Sequence, residues 1–238
     1  MSGILRLLDP LISIFIPSSC IFCGQELPAS RRVVCRTCYK ALPRLSSQLL
    51  KILQDEIEPC HFSRLFIPFE FSERIQNLIH LIKYRNFLTL GEYFACSISQ
   101  LIQNPIYNII TGVPLNPVRR RERGYNQSEV IAKHLAFILD LPFDPHLLER
   151  VRNTVSQTNL NREERKANVR DAFFCTRDLT GQTVLIVDDV ITTGSTLNEC
   201  AKICKNSGAA QVDLAAIATP ANILQHRLER ENRFSDIL

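Results

Sequence analysis

The sequence contains no long apolar run, few glycines and little excess charge of either sign. No stretch approaches the ~18 apolar residues that span a bilayer, so an integral membrane protein is not expected. The apolar residues 11–16 lead into Pro17 and a cysteine pair rather than a small-residue cleavage site, so a cleavable signal is not expected either. Charged residues make up 22% and apolar residues 45% of the 238 positions, which excludes disorder as the main state. The composition therefore predicts a globular chain of one to two domains.

Glycine occurs eight times, whereas cysteine occurs nine times. A closed disulfide framework cannot use all nine cysteines, because their number is odd. Without a signal segment, we expect the reducing cytoplasm. Four of them form two pairs, Cys20-x-x-Cys23 and Cys35-x-x-Cys38. Two such pairs can present four thiolates to one ion in the tetrahedral geometry that zinc prefers. We therefore expect a Zn²⁺ site in this segment.

A site with four cysteine ligands has no open position, which indicates a structural metal rather than a catalytic one. An iron–sulfur or mononuclear iron site, and unligated thiols or disulfides, are the alternatives that the spacing leaves open. If the ion is structural, its removal is expected to unfold residues 17–43 and to leave the rest of the chain largely intact.

After the cysteines, apolar runs typical of strands alternate with helical periodicity. The predicted strands cover residues 64–71, 108–113, 183–187 and 212–218. The predicted helices cover residues 72–83, 88–102, 128–139 and 195–206. This alternation predicts an α/β fold with a largely parallel sheet flanked by helices.

The sharpest motif is an apolar strand followed by two adjacent acids, Asp188 and Asp189, and a loop of small hydroxyl residues. The loop residues are Thr192, Thr193, Gly194, Ser195 and Thr196. Ligands of open parallel sheets bind at the carboxyl ends of the strands, and the start of the next helix offers N–H groups to a phosphate. The two acids can accept hydrogen bonds from the vicinal hydroxyls of a sugar. An acidic pair that caps a helix without any ligand is the alternative.

Four arginines follow the predicted strand that ends near Pro114, at the same edge of the sheet: Arg119, Arg120, Arg121 and Arg123. Guanidinium groups suit pyrophosphate or nucleic-acid phosphates. The alternative is a solvated basic turn that binds no ligand. Tyr125 beside Arg123 could stack on a base. Residues 119–170 hold eleven Lys or Arg against seven Asp or Glu, a difference that equals the net charge of +4 of the whole chain.

A second basic stretch places Arg162, Arg165 and Lys166 on one face of a predicted helix. It could be a lid over a phosphorylated ligand or a nucleic-acid surface, and a solvated helix face is the alternative. Its position about fifteen residues before the acidic-pair strand makes it a further candidate for pyrophosphate or DNA contacts.

Several motifs occur in a characteristic order along residues 15–218. The cysteine pairs are followed by Leu-Ile-Lys-Tyr-Arg (81–85), a Val-Pro…Arg-Gly-Tyr-Asn-Gln block (113–127), Gln-Thr-x-Leu-x-x-x-x-Arg (157–165), Asn-Val-Arg-x-Ala-Phe (168–173) and the acidic-pair loop. The last of these resembles the phosphoribosyl-pyrophosphate signature of the type I phosphoribosyltransferases. The order as a whole resembles the ComF family of competence-associated, phosphoribosyltransferase-like proteins.

The resemblance implies a type I phosphoribosyltransferase-like sheet with a small N-terminal zinc ribbon. It also implies that Asp188 and Asp189 contact ribose hydroxyls, with a catalytic role if the protein is an enzyme, and that the loop 192–196 holds a 5′-phosphate. The implied ligand is phosphoribosyl pyrophosphate with Mg²⁺. The implied function is the handling of single-stranded DNA in the cytoplasm during natural transformation, with other DNA-uptake proteins as candidate partners.

An active phosphoribosyltransferase that uses a free base or a small nucleophile in nucleotide salvage is the alternative. Such a reaction needs positioning and charge stabilisation but no dedicated protein nucleophile. The sequence contains no motif that names an acceptor base, so enzyme activity stays open at this point.

Together these patterns predict four regions. An N-terminal segment with the cysteines (1–45) precedes a linker helix (46–63), the phosphoribosyltransferase-like domain (64–219) and a charged C-terminal tail (220–238).

Overall fold

The computed structural model describes residues 19–28, 33–151 and 171–220. The chain divides into two compact units, residues 1–43 and residues 44–238. The predicted basic helix face with Arg162, Arg165 and Lys166 lies outside the described residues, as does the tail after Pro220. The four regions predicted from the sequence, with a separate linker helix, stay a prediction.

In the first unit, a tight turn and one short helix bring the two cysteine pairs together. Ser19 and Glu26 form an isolated antiparallel bridge, and the turn between them contains Gly24 at a φ of 72°. Helix α1 (Arg36–Lys40) follows, with Cys35 at its N-cap. Among the described residues of this unit, the buried apolar side chains include Val33, Val34 and Leu42, together with three of the four cysteines.

The second unit is an α/β domain. Its helices are α2 (Ser47–Asp55), α3 (Glu73–Tyr84), α4 (Thr89–Ser99), α5 (Pro117–Arg123), α6 (Gln127–Leu139) and α7 (Ser195–Asn206). Its strands are β1 (Leu65–Phe66), β2 (Phe69–Glu70), β3 (Ile109–Gly112), β4 (Leu148–Arg150), β5 (Phe173–Cys175), β6 (Thr183–Val190) and β7 (Gln211–Thr219).

The main sheet is entirely parallel, as predicted. β1 and β2 both pair with β7, β7 pairs with β6, and β6 pairs with β3. β6 and β7 are buried along most of their length, which is why they are nearly continuous apolar runs in the sequence. Gly112 of β3 lies opposite Val187 of β6, so the carboxyl ends of these two strands meet at one edge of the sheet.

Most predicted helices are confirmed to within a few residues. Ser72, a residue type typical of a helix N-cap, caps α3 by accepting a hydrogen bond from the N–H of Ile75 at 3.4 Å. The face that helical periodicity predicts to point inward is buried: Ile75, Leu78, Ile79 and Ile82. On α6 the same periodicity predicts that Ile131, Leu135 and Ile138 point inward; the first two are buried, but Ile138 is 40% exposed. That prediction was wrong because periodicity does not show where the sheet beneath a helix ends.

Several boundaries differ from prediction. The strand at 64–71 is two short edge strands, since Pro68 cannot donate a ladder hydrogen bond. In the expected linker helix, α2 ends at Asp55. The small antiparallel sheet of β4 and β5 was not predicted from its short and irregular apolar pattern.

Candidate functional site

The two adjacent acids lie inside β6 rather than after it. Asp188 is opposite Ala216 of β7, and Val190 is opposite Ala218, so the parallel ladder continues through both carboxylates. The prediction that the strand ends at Val187 was wrong, because neighbouring backbone pairing, not side-chain polarity, decides where a strand stops. Successive side chains of a strand point to opposite faces of the sheet, so the two carboxylates have different surroundings.

Asp189 is anchored through both of its oxygens. Oδ2 lies 2.6 Å from Lys83 Nζ and accepts a hydrogen bond from Gln127 Nε2 at 2.8 Å, while Oδ1 accepts from the Val190 N–H at 2.6 Å. Burial raises the pKa of Asp189, but the Lys83 ammonium and the hydrogen bonds outweigh it and leave the pKa below its ordinary value. Asp189 is therefore an ionised carboxylate held in place.

Asp188 has a different environment. Its Oδ1 accepts hydrogen bonds from Ser128 Oγ at 2.8 Å and from the Asp189 N–H at 2.9 Å. Among the described residues, no hydrogen bond reaches its second oxygen. Burial, and then the nearby charge of Asp189, raise the pKa of Asp188 to about 7. The second oxygen of Asp188 thus remains available as an acceptor for a ligand.

The start of α6 delivers the partners of both acids. Asn126 caps this helix and donates a hydrogen bond from its amide to the carbonyl oxygen of Val113 at 2.9 Å. Gly112 permits the close approach, because a Cβ at that position would lie 2.7 Å from the backbone nitrogen of Glu129. The consecutive residues Asn126, Gln127 and Ser128 therefore place Gln127 on Asp189 and Ser128 on Asp188.

The loop after β6 ends in a helix start suited to an anion. Gly194 has a φ of 72°, and a Cβ there would overlap the side chain of Ile57. Thr193 Oγ1 and Ser195 Oγ lie 2.9 Å apart. Gly194, the N-cap residue of the twelve-residue helix α7, has no side chain to cap it, and the Ser195 N–H lies 3.5 Å from Thr193 Oγ1. The positive end of the dipole of this helix favours a phosphate at its start.

A cavity of about 470 Å³ joins these parts. The predicted site residues that line it are Pro114, Arg119, Arg123, Asp188, Asp189, Thr192, Thr193, Gly194, Ser195 and Thr196. The structure thus brings together the acidic pair, the whole hydroxyl loop and half of the arginine cluster.

The four arginines, whose density in the sequence indicated a cationic loop, lie on the short helix α5. Asn116 caps α5, Pro117 occupies its first position and Gly124 ends it, a set of signals typical of a helix. Arg119 and Arg123, four residues apart, line the cavity. The other two arginines do not: Arg120 forms a two-pronged ion pair with Glu129, with contacts of 2.7 and 3.2 Å, and Arg121 is exposed.

The lining of the cavity also includes residues that sequence reasoning did not assign, among them Lys83, Gln127, Ser128 and Arg150. The first three lie in the motifs 81–85 and 113–127 or next to them, so the sequence marked their positions but did not indicate what they contact. Arg150 is half-buried on β4, which was not predicted, and its guanidinium lies 5.3 Å from the ring of Phe173. Burial lowers the pKa of Arg150, and its position by the cavity adds a cation that no motif indicated.

In the first unit, the four cysteine sulfurs lie within 4.8 Å of one another. Cys23 Sγ and Cys35 Sγ are 3.7 Å apart. A tetrahedral zinc ion with bonds of ~2.3 Å separates its sulfur ligands by roughly 3.8 Å, so the four side chains fit such an ion. Cys20, Cys23, Cys35 and Cys38 could therefore hold a metal such as zinc.

The crowding of the thiols also favours a cation. Burial opposes charge on Cys20, but backbone N–H groups lower its pKa to about 6. Burial and the neighbouring sulfurs raise the pKa of Cys38 to about 12. One thiolate thus disfavours the next, and a bound divalent cation would remove that repulsion.

A scan against protein families matches residues 125–233 to the phosphoribosyl transferase domain. The chain is 30% identical to the DNA utilization protein YhgH of Salmonella typhi over 221 residues, 84% of this chain and 96% of that protein. It is 27% identical to the Competence protein F of Haemophilus influenzae over 225 residues, 86% of this chain and 98% of that protein.

A purine phosphoribosyltransferase structure from Pyrococcus horikoshii aligns with a TM-score of 0.32 at 18% identity, covering 66% of this chain and 78% of that one. None of the helices that the structure describes is both long and apolar enough to cross a membrane.

The domain match covers the acidic-pair loop, and the similarity to the two relatives extends over nearly their whole length. The sheet is parallel and flanked by helices, which is the fold of a type I phosphoribosyltransferase. The chain therefore belongs to the ComF family of phosphoribosyltransferase-like proteins.

Proposed function

We propose that the cavity binds phosphoribosyl pyrophosphate together with Mg²⁺. The observation that supports this most is the division of charge around one cavity of about 470 Å³. The acceptor oxygen of Asp188 lies on β6, the positive end of the α7 dipole follows it, and Arg119 and Arg123 come from the neighbouring strand connection. A sugar with two phosphate-bearing ends matches that arrangement.

Each part of this ligand has a protein counterpart. The 5′-phosphate would take the hydroxyls and N–H groups of residues 192–196. The ribose hydroxyls would donate to Asp188, which Ser128 orients, while Asp189 keeps Lys83 and Gln127 in place. The pyrophosphate would be bound by Arg119 and Arg123, whose guanidinium forks suit phosphate oxygens. Mg²⁺ would supply the remaining charge neutralisation on that group.

Other basic residues stay proposed as pyrophosphate or DNA contacts. Arg162, Arg165 and Lys166 lie outside the described residues, and Arg120 and Arg121 lie on α5 outside the lining of the cavity. Arg121 is exposed, which suits a phosphate of a nucleic acid better than a ligand in the cavity.

We further propose that this chain acts in DNA uptake or utilisation by handling single-stranded DNA in the cytoplasm, beside other DNA-uptake proteins. The names of the two relatives, a DNA utilization protein and a competence protein, support this role. The concentration of the net positive charge in residues 119–170 supports a local phosphate-binding surface. A structural Zn²⁺ held by the four cysteines would complete the N-terminal zinc finger.

Calorimetry with phosphoribosyl pyrophosphate and Mg²⁺ tests the ligand. The double substitution Asp188→Asn with Asp189→Asn removes the charged acceptor for the ribose and the carboxylate that holds Lys83. We expect affinity to fall about 100-fold or more, because hydrogen bonds to a charged group contribute about 1.5–3 kcal/mol each. Asp144→Asn, a half-buried acid that does not line the cavity, is the matched control. Unchanged binding in the double variant would refute the assignment of the ligand to this cavity.

Anisotropy with labelled single-stranded DNA tests the second part. The double acid variant is expected to keep its DNA binding, whereas replacement of the four α5 arginines by alanine is expected to flatten the salt dependence of the affinity. A salt slope that stays unchanged would remove α5 from the DNA surface. Loss of both ligands in a folded acid variant would show that there are not two separate sites.

Active phosphoribosyl transfer is a second candidate, favoured by the cations around the proposed pyrophosphate. In that reaction the bond from the anomeric carbon to pyrophosphate oxygen breaks, and pyrophosphate leaves with the electron pair. A nitrogen of the acceptor base forms the new bond and loses its proton to solvent. A screen for pyrophosphate release over free bases tests this candidate, and release that requires Asp188 would establish it.

A further inference from the structure

The last residue of α3 and the three residues after it form a segment that we call the aromatic–basic turn (Tyr84, Arg85, Asn86 and Phe87), in which two aromatic residues flank two polar ones. Tyr84 is 57% exposed and Phe87 is 37% exposed, and Arg85 between them is exposed as well. Asn86 has a φ of 58°, a left-handed conformation that asparagine tolerates better than most residues. The backbone thus turns sharply and leaves two large rings in contact with solvent.

Three consecutive residues at the end of α3 attach this turn to the candidate site. The carbonyl oxygen of Ile82 accepts a hydrogen bond from the hydroxyl of Tyr125. Lys83 Nζ lies 2.6 Å from Asp189 Oδ2, and the guanidinium of Arg123 lies 4.7 Å from the ring centroid of Tyr84. The aromatic–basic turn is therefore fixed at the rim of the cavity.

Arg123 connects the exposed ring to the acidic pair in a continuous chain of contacts. Its Nη2 donates to the Tyr84 hydroxyl at 3.0 Å, and its Nη1 donates to Gln127 Oε1 at 3.0 Å. Gln127 in turn donates to Asp189 at 2.8 Å. A ligand that reaches from the acidic pair to the exposed ring therefore crosses only two intervening side chains.

The ring of Tyr84 is oriented before any ligand arrives. Arg123 is stacked over it, and the imidazole of His80 lies 4.8 Å away at an interplanar angle of 42°. More than half of the tyrosine remains exposed all the same. Aromatic rings with cations between them are the usual arrangement for single-stranded nucleic acids, because bases stack on the rings and phosphates bind the cations. Arg85 and Arg121, both exposed, supply such cations.

We propose that the aromatic–basic turn is a nucleobase platform, on which a base stacks against Tyr84 while the adjoining sugar phosphate faces the cavity. The inference rests on the proposed function, since it assumes that the cavity binds a ligand that contains a ribose phosphate. Its ligand class is a nucleotide unit with an exposed base, presented by single-stranded DNA or by a mononucleotide. Arg123 stacks on Tyr84 rather than beside Tyr125, so the aromatic partner differs from the one that the sequence indicated.

The chain contains no tryptophan, which allows a direct optical test. Tyr84→Trp places a single indole on the platform, and Phe174→Trp, at a 55% exposed position on β5, is the matched control. The probes are a short thymidine oligonucleotide, an abasic oligonucleotide of equal length, thymidine monophosphate, and phosphoribosyl pyrophosphate with Mg²⁺. Stacking of a base quenches indole fluorescence, whereas a phosphate backbone without bases does not.

We expect the thymidine oligonucleotide to quench the fluorescence of the Tyr84→Trp variant and the abasic oligonucleotide to leave it unchanged, with no effect on the Phe174→Trp control. Quenching by the monophosphate as strong as by the oligonucleotide would support a mononucleotide as the source, and stronger quenching by the oligonucleotide would support single-stranded DNA. Tyr84→Ala is expected to weaken oligonucleotide binding about tenfold, whereas Tyr84→Phe retains the ring and most of the affinity.

Equal responses to the thymidine and abasic oligonucleotides, or an unchanged affinity in Tyr84→Ala, would overturn the platform. Calorimetry of the native chain separates this failure from a failure of the proposed function. If the native chain binds phosphoribosyl pyrophosphate but no base is sensed in the Tyr84→Trp variant, the platform alone is wrong. If the native chain binds neither ligand, the proposed function fails and the platform fails with it.

Discussion

The four-cysteine cluster and the cavity above β6 are sites of opposite construction. The cluster is built from residues 20–38, within one turn and one short helix. The cavity is lined by side chains from several helices, strands and connections between residues 83 and 197. Spacing along the chain is enough to predict the first, whereas the second depends on which strands are neighbours. The comparison shows that topology, rather than any single motif, assembles the ligand-facing part of this protein.

Metal removal is expected to have the largest effect, because structural zinc contributes about 10–16 kcal/mol of apparent binding energy to small metal-binding segments. Purified protein should hold one equivalent of zinc by elemental analysis. Chelation, or Cys35→Ser, should raise hydrogen exchange in residues 19–43 and leave the protection of β6 and β7 unchanged.

Cys96→Ser, which changes an exposed cysteine outside the cluster, should retain the metal. Zinc well below one equivalent in protein prepared without chelator would contradict the metal assignment. Loss of protection throughout the sheet would instead show that the sheet depends on the metal site for its stability.

Lys83→Met is expected to have the next largest effect, on the cavity side of the comparison. It leaves Asp189, whose side chain is 10% exposed, without its cation, and should lower the free energy of unfolding by about 3 kcal/mol. Urea denaturation measures this. Lys202→Met breaks the ion pair with Glu199 within one helix and should change the stability by less than ~1 kcal/mol. Similar effects of the two substitutions would mean that the Lys83 pair is an ordinary surface contact.

Gly112→Ala tests the close approach of α6 to β3. A Cβ at this position meets the backbone of Ser128 and Glu129 at 2.7–2.9 Å, so we expect a loss of about 2 kcal/mol and weaker ligand binding as Ser128 moves from Asp188. Gly91→Ala is the control, since the nearest atom there belongs to the movable side chain of Val130 at 2.7 Å. If both substitutions change stability and ligand affinity equally, the close approach at Gly112 does not set the geometry of the site.

The smallest expected effect is a pH dependence of phosphoribosyl-pyrophosphate affinity. The pKa of Asp188 is raised to about 7, and only its ionised form accepts hydrogen bonds from both hydroxyls. The ionised fraction rises about tenfold from pH 6 to pH 8, so affinity should increase with pH by up to that factor. Calorimetry at both values measures it. In Asp188→Asn this component should disappear, which distinguishes it from the titration of the ligand phosphates.

Much of the fold follows from the sequence because its elements have strong local signals. The continuous apolar runs of β6 and β7 predict buried parallel strands, and Ser72 predicts the start of α3. The β4–β5 pair escapes prediction because three residues on each strand give too short a pattern. The many arginines of α5 suggested a loop, because they give the segment no apolar face. Asn116 and Gly124, the cap residues of this helix, are the sequence signals that indicate it.

The candidate site is predictable as far as its motifs reach. Asp188, Asp189 and the hydroxyl loop can be assigned because one segment contains them all. Lys83 and Arg150 approach the same cavity from distant parts of the chain, and their contact with the acidic pair or the cavity depends on tertiary packing. The unequal environments of the two acids have the same origin, since Ser128 and Lys83 select one acid each.

A crystal structure of the complex with phosphoribosyl pyrophosphate and Mg²⁺ tests the central claim most directly. The account predicts ribose hydroxyls within hydrogen-bonding distance of Asp188 and the 5′-phosphate at the first N–H groups of α7. It also predicts that Lys83 still contacts Asp189 in the complex. A ligand bound with its ribose away from Asp188, or its 5′-phosphate away from residues 192–196, would contradict the account.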